Sequence, residues 1–169
     1  MRALALLAAV LIPLATVPFI PAASPALREV VPNDNRRAAG TLRRDTLTAR
    51  FTVQMAHWTP DASHDQQVDV PAMTEDGKAP QIPAPLLRVR VGTVMKVRVR
   101  NALSDSTLRL FGLWSHPHEG KDTVRIAPGE TRELVFDAGV PGTYLYGARI
   151  GNDALDTPEL ETADRKSVV

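Results

Sequence analysis

Beyond Gly40 the apolar residues recur at every second position, which constrains this chain more than any other feature of its sequence. Leu47, Ala49, Phe51, Val53 and Met55 alternate with Thr48, Arg50, Thr52 and Gln54. Leu87, Val89 and Val91 alternate with Arg88 and Arg90, and after Gly92-Thr93 the residues Met95, Val97 and Val99 alternate with Lys96, Arg98 and Arg100. A period of two puts one set of side chains on each face of an extended chain, so these segments are read as half-buried strands. Further strands are expected at Thr107–Phe111, Thr123–Ile126, Thr131–Phe136 and Gly142–Tyr146, each bounded by turn residues such as Pro128-Gly129 and Pro141-Gly142. Short strands at this spacing, with no helical stripe after the N-terminal segment, predict an all-β Greek-key sandwich or barrel. The stretch from Thr59 to Pro85 holds Pro60, Pro71, Pro80, Pro83 and Pro85 and is read as a loop over one end of the sandwich.

The chain of 169 residues is long enough for one core, and a net charge of +1 favours neither nucleic acid nor membrane headgroups. The cation row from Arg88 to Arg100 falls on the polar side of the alternation, so it is read as a solvated sheet face and not as a phosphate track. Residues 1–24 have one basic residue, an apolar run to Ile20 and then Ala22, Ala23 and Ser24, the layout of a secretory signal. A periplasmic or secreted domain is expected, with no stable membrane insertion after cleavage between Ala23 and Ala26. Pro13 and Pro18 interrupt the run and argue against an anchor helix. Residues 25–39 are expected to be a linker and 40–150 the folded domain. The absence of cysteine excludes disulfides and thiolate metal ligands.

Four blocks, in order, carry a family resemblance. Ile82-Pro83-Ala84-Pro85 leads into Leu87-Arg88-Val89 and on to Val97-Arg98-Val99-Arg100-Asn101-Ala102-Leu103; then come Thr107-Leu108-Arg109-Leu110-Phe111-Gly112-Leu113, Ile126-Ala127-Pro128-Gly129-Glu130-Thr131 and Gly142-Thr143-Tyr144-Leu145-Tyr146. Together they resemble the first plastocyanin-like (cupredoxin) domain of the multicopper oxidases. The resemblance covers most of 40–150 and implies a cupredoxin-like fold, with copper as the cofactor of the family and later cupredoxin domains of the same protein as partners.

In that family, two His-x-His pairs of the first domain help to hold a three-copper cluster. Here the resemblance puts Arg109 and Phe111 at the first pair and Gly147 and Arg149 at the second. Arginine offers no lone pair near neutral pH, and phenylalanine and glycine have no donor side chain, so no copper is expected from these positions. A blue-copper site would need a cysteine. Arg109 and Arg149 are read either as residues of a degenerate surface or as cations that meet an anion or an acidic neighbour.

His116 and His118, in His116-Pro117-His118, are displaced from the ligand positions into a Ser/Pro/Gly-flanked loop and are kept as the candidate metal ligands of this chain. His57 beside Trp58 and His64 beside Asp65 stand alone and are not expected to ligate. No nucleophile elbow, ordered Ser-His-Asp set or phosphate-binding glycine loop is present, so no catalytic residue is assigned. Residues 151–163 are expected to begin a downstream segment. The last residues, Asp164-Arg165-Lys166-Ser167-Val168-Val169, are what one reading frame of a common sequencing-library adapter encodes. A truncated reading frame with an artefactual tail at 164–169 is therefore expected, as part of a longer oxidase-like protein. The sequence leaves two other readings open: a part of a copper-dependent oxidoreductase whose copper lies downstream, and a free-standing periplasmic β-sandwich that binds a partner.

Overall fold

The computed structural model describes residues 26–60, 67–113 and 123–151, and the backbone of 164–168. Thirteen strands run along these residues: β1 (Arg28–Glu29), β2 (Val31–Pro32), β3 (Thr41–Arg43), β4 (Thr46–Trp58), β5 (Val68–Glu75), β6 (Pro80–Ile82), β7 (Leu87–Val89), β8 (Val94–Asn101), β9 (Leu108–Phe111), β10 (Val124–Ile126), β11 (Thr131–Asp137), β12 (Gly142–Ile150) and β13 (Asp164–Val168). They form two sheets. The larger has the order β11-β8-β4-β5-β6-β2, with β1 and β3 also on β4, and the smaller has the order β10-β9-β12-β13-β7.

The alternation in the sequence becomes the core. Leu47, Ala49, Phe51 and Val53 of β4 and Met95, Val97 and Val99 of β8 are buried in one cluster with Leu87 and Val89 of β7, Leu108 and Leu110 of β9 and Tyr146 of β12. The inner faces of the two sheets therefore pack on each other, and each fully buried large side chain stabilises the fold by roughly 1.5–3 kcal/mol. The buried Tyr146 hydroxyl donates to the Pro85 carbonyl, so this polar tip costs no unmade hydrogen bond.

Arg88, Arg90, Lys96, Arg98 and Arg100 are all exposed, as the polar side of the alternation requires. On the outer face of β8, Glu133 of β11 meets Lys96 at 3.1 Å and Arg98 at 3.2 Å. The hydrogen bond from Lys96, ahead of that from Arg98, holds the Glu133 carboxyl below its ordinary value of 4.5. A depressed carboxylate stabilises the fold above its ordinary value and loses that contribution as pH falls through its folded-state value. Urea denaturation should therefore show wild type above Glu133→Gln at neutral pH, with the gap closing as the solution is acidified below pH 4.5. A gap that widens in acid would contradict this.

Two segments differ from expectation, and a third adds a strand. The proline-rich stretch read as a loop contains β5 and β6. Pro71 pairs with Met55 of β4, while β6 engages β5 only at Met73 and Thr74. Among the described residues the other side of β5 is thus unpaired at Pro71, where a proline can sit in a strand. Residues 25–39, read as a linker, carry β1, parallel to β4, and β2, parallel to β6. They are held further by hydrogen bonds from Val30 N to His57 O and from Ala39 N to Leu86 O, both 2.7 Å. Strands of two residues are too short to show a period. Finally, Asp164–Val168, within the tail expected to be artefactual, supplies β13 between β12 and β7. Such pairing uses backbone groups common to every residue type, so the position says nothing of the segment's origin.

Candidate functional site

Leu108 and Leu110 of β9 point into the core, which turns Arg109 and Phe111 to the opposite face of the smaller sheet. The neighbouring strand β12 lies antiparallel, with Gly147 opposite Phe111 and Arg149 opposite Arg109. The four positions that correspond to copper ligands in the resemblance thus form two alternate rungs of one ladder, with the core-facing Leu110–Ala148 rung between them. Directly opposed residues have Cβ atoms about 4.5–5.5 Å apart, so four imidazoles placed here would converge.

What converges instead is a guanidinium–aromatic arrangement. The Arg149 Cζ lies 5.7 Å from the centroid of the Phe111 ring, within cation–π range. Gly147 has no side chain opposite Phe111, which leaves room for this diagonal approach. Arg109 and Arg149 are half-buried, and the Nε atom of each is shielded from solvent. On the far side of β9, Arg125 of β10 lies opposite Arg109, so Arg125, Arg109 and Arg149 make a row across three strands. None of these side chains offers a lone pair to a metal, and copper does not fit the four positions as they stand.

His116 and His118, the candidate ligands from the sequence, and His64 lie outside the described residues. His57 is on β4 opposite Asp69 of β5, with Nδ1 2.5 Å from Oδ1, in the larger sheet, whereas the four positions lie in the smaller. Glu29 of β1 stands on the other side of His57. Among the described residues no group of three or more His, Asp or Glu side chains could hold a metal ion.

A feature without a signal in the sequence lies on the outer face of the larger sheet, where Thr41, Arg43, Thr48 and Arg50 line a groove of about 430 Å³ with Glu75 and Asp76. Its walls come from β3, β4 and the end of β5. The pairings of β4 with β3 and with β5 bring them together.

No family model matches the chain. A probable nitrite reductase-hydroxylamine oxidoreductase fusion protein of Kuenenia stuttgartiensis is 33% identical over 84 residues, covering 41% of this chain and 9% of that protein. The chain thus spans less than a tenth of the length of this curated relative. Among solved structures, a copper nitrite reductase from Nitrosomonas europaea aligns with a TM-score of 0.52 and 21% identity, covering 73% of this chain and 41% of that one. A multicopper oxidase from Campylobacter jejuni, described as a metallo-oxidase, aligns with a TM-score of 0.51 and 16% identity, covering 85% of this chain and 30% of that one. These likenesses show the fold: the chain is a cupredoxin-like β-sandwich, as the sequence led us to expect.

Proposed function

We infer that this cupredoxin-like sandwich is an exported N-terminal domain of a multicopper-oxidase-type protein, structural in its role and without a copper site of its own. The observation that carries this reading is the pair of rungs on β9 and β12, filled by Arg109, Phe111, Gly147 and Arg149. These positions face outward from the smaller sheet, where a later cupredoxin domain of the same protein would pack. The signal-like N-terminus supports a periplasmic or secreted location. A second reading, a part of a copper-dependent oxidoreductase with its copper further along the protein, is favoured by the copper enzymes among the structural neighbours.

Copper titration of the chain from Pro25 onward, followed by metal analysis after gel filtration, tests the absence of a site. The expected result is no stoichiometric copper retained; one copper bound tightly per chain would overturn the reading. A variant with histidine at 109, 111, 147 and 149 should gain copper affinity by at least tenfold, because the ladder register already brings these positions together. Were that variant folded and still unable to hold copper, the correspondence of these positions to ligands would be wrong.

A further inference from the structure

The outer face of the larger sheet carries a donor-rich depression that the proposed role leaves unused. β3 and β4 form an antiparallel pair with Thr41 opposite Thr48, and the period of two puts Arg43 and Arg50 on the same face as these threonines. Leu47 and Ala49 take the core side. The groove between them, about 430 Å³, is continued by a second depression of about 250 Å³ on the β8 side, lined by Lys96, Arg98 and Glu133. Thr48 and Arg50 belong to both.

The acids around the groove are largely committed. Glu75 accepts from the Gly40 backbone N–H at 2.9 Å and pairs with Lys78 at 2.5 Å. Glu133 is held by Lys96 and Arg98. Among the described residues Arg43 and Arg50 make no ion pair, and Asp76, across the groove, makes none either. Arg50 also stands directly opposite Arg98 in the parallel β4–β8 pair. Like charges facing each other across a ladder are destabilising, and an anion between them would relieve the repulsion.

We propose that the groove centred on Arg50 binds a compact multivalent oxoanion of the phosphate or diphosphate class. The guanidinium forks of Arg50 and Arg43 match oxoanion geometry with paired N–H donors, and the Thr41 and Thr48 hydroxyls can donate to further oxygens. The interspersed Glu75, Asp76 and Glu133 oppose a long polyanion, which would have to pass over them, whereas a small one fits between. Arg50, common to both depressions, is the group a diphosphate would bridge.

Isothermal titration of the chain with inorganic pyrophosphate, and separately with inorganic phosphate, tests this at low salt. One saturable pyrophosphate per chain is expected, bound more tightly than phosphate and weakened by added sodium chloride. Arg50→Gln should weaken it at least tenfold and Arg43→Gln severalfold. Arg50→Lys should fall between wild type and Arg50→Gln, since it keeps the charge and loses the fork. Arg88, exposed on β7 of the other sheet, serves as the control, and Arg88→Gln should bind as wild type does. Absence of saturable binding, or equal loss in Arg88→Gln and Arg50→Gln with circular dichroism unchanged, would overturn the proposal. Copper retention is measured on separate samples, so failure here leaves the reading of the β9–β12 ladder untouched.

Discussion

Gly112→Ala should destabilise the domain by about 4 kcal/mol or more, enough to leave much of a marginally stable chain unfolded at room temperature. Gly112 follows β9 directly and has φ +75°, the left-handed region. A side chain there costs roughly 1–2 kcal/mol through backbone sterics alone. The larger part comes from packing, because an added Cβ would lie 2.1 Å from the Leu145 carbonyl oxygen and 2.9 Å from the Tyr146 Cα. Both atoms are backbone of β12, so the methyl could be admitted only by pushing β12 away from β9. That movement would open the ladder on which Arg109, Phe111, Gly147 and Arg149 sit. Urea denaturation followed by tryptophan fluorescence checks this; a loss below about 1 kcal/mol would mean that β12 yields far more easily than its packing implies.

The second large effect is expected at Asn101, at the end of β8. Its side chain is fully buried and donates through Nδ2 to the Ser106 carbonyl at 2.8 Å and the Ile126 carbonyl at 2.9 Å, while Oδ1 accepts from the Leu103 N–H at 3.0 Å. One amide thus ties β8, the turn after it and the end of β10 together. Asn101→Leu keeps the same branched skeleton with somewhat more bulk and strands three backbone groups at once, each an unmade bond worth about 1–3 kcal/mol where it is buried. The expected loss is about 3 kcal/mol or more, read as a lower urea midpoint with an unchanged slope. Asn101→Asp should be at least as damaging at neutral pH, because a carboxylate would turn a second acceptor toward two carbonyl oxygens. Retention of wild-type stability by Asn101→Leu would show that water satisfies these groups.

The uneven legibility of the sequence has physical causes. β4 and β8 could be read directly because each buries one face and exposes the other, so hydrophobicity itself records the strand. Asn101 shares the inward parity of Val97 and Val99, and a polar residue at an inward position was the available sign of a buried hydrogen-bonding hub. β7 and β8 follow each other across Gly92-Thr93, yet they belong to different sheets, since alternation reports which face is buried and not which partner buries it. β5 was hidden by Pro71, whose tolerance depends on a sheet side left unpaired, a tertiary property. The four family positions could be named from the motif order, and their residue types were legible there as Arg109, Phe111, Gly147 and Arg149. That they would stand on two alternate rungs of one face depended on the β9–β12 register, set by strands far apart in the chain. The groove around Arg50 was invisible for the same reason: β3 is short, exposed on every residue, and acquires meaning only beside β4.

The central place of β4 bears on how quickly this sandwich can assemble. β4 pairs with β1, β3, β5 and β8, and its parallel ladder with β8 joins Thr46 to Val94 and Arg50 to Arg98. A parallel ladder cannot be nucleated by a tight hairpin; the intervening chain has to be looped back first, at an entropic cost that precedes any pairing. Topologies dominated by such distant pairings typically reach the native state in milliseconds to seconds, whereas helical bundles need microseconds. Until β8 arrives, the inward row Leu47, Ala49, Phe51 and Val53 has only its hairpin partners for shelter. During that interval the row is apolar surface open to solvent, which is when such a chain is most prone to aggregate.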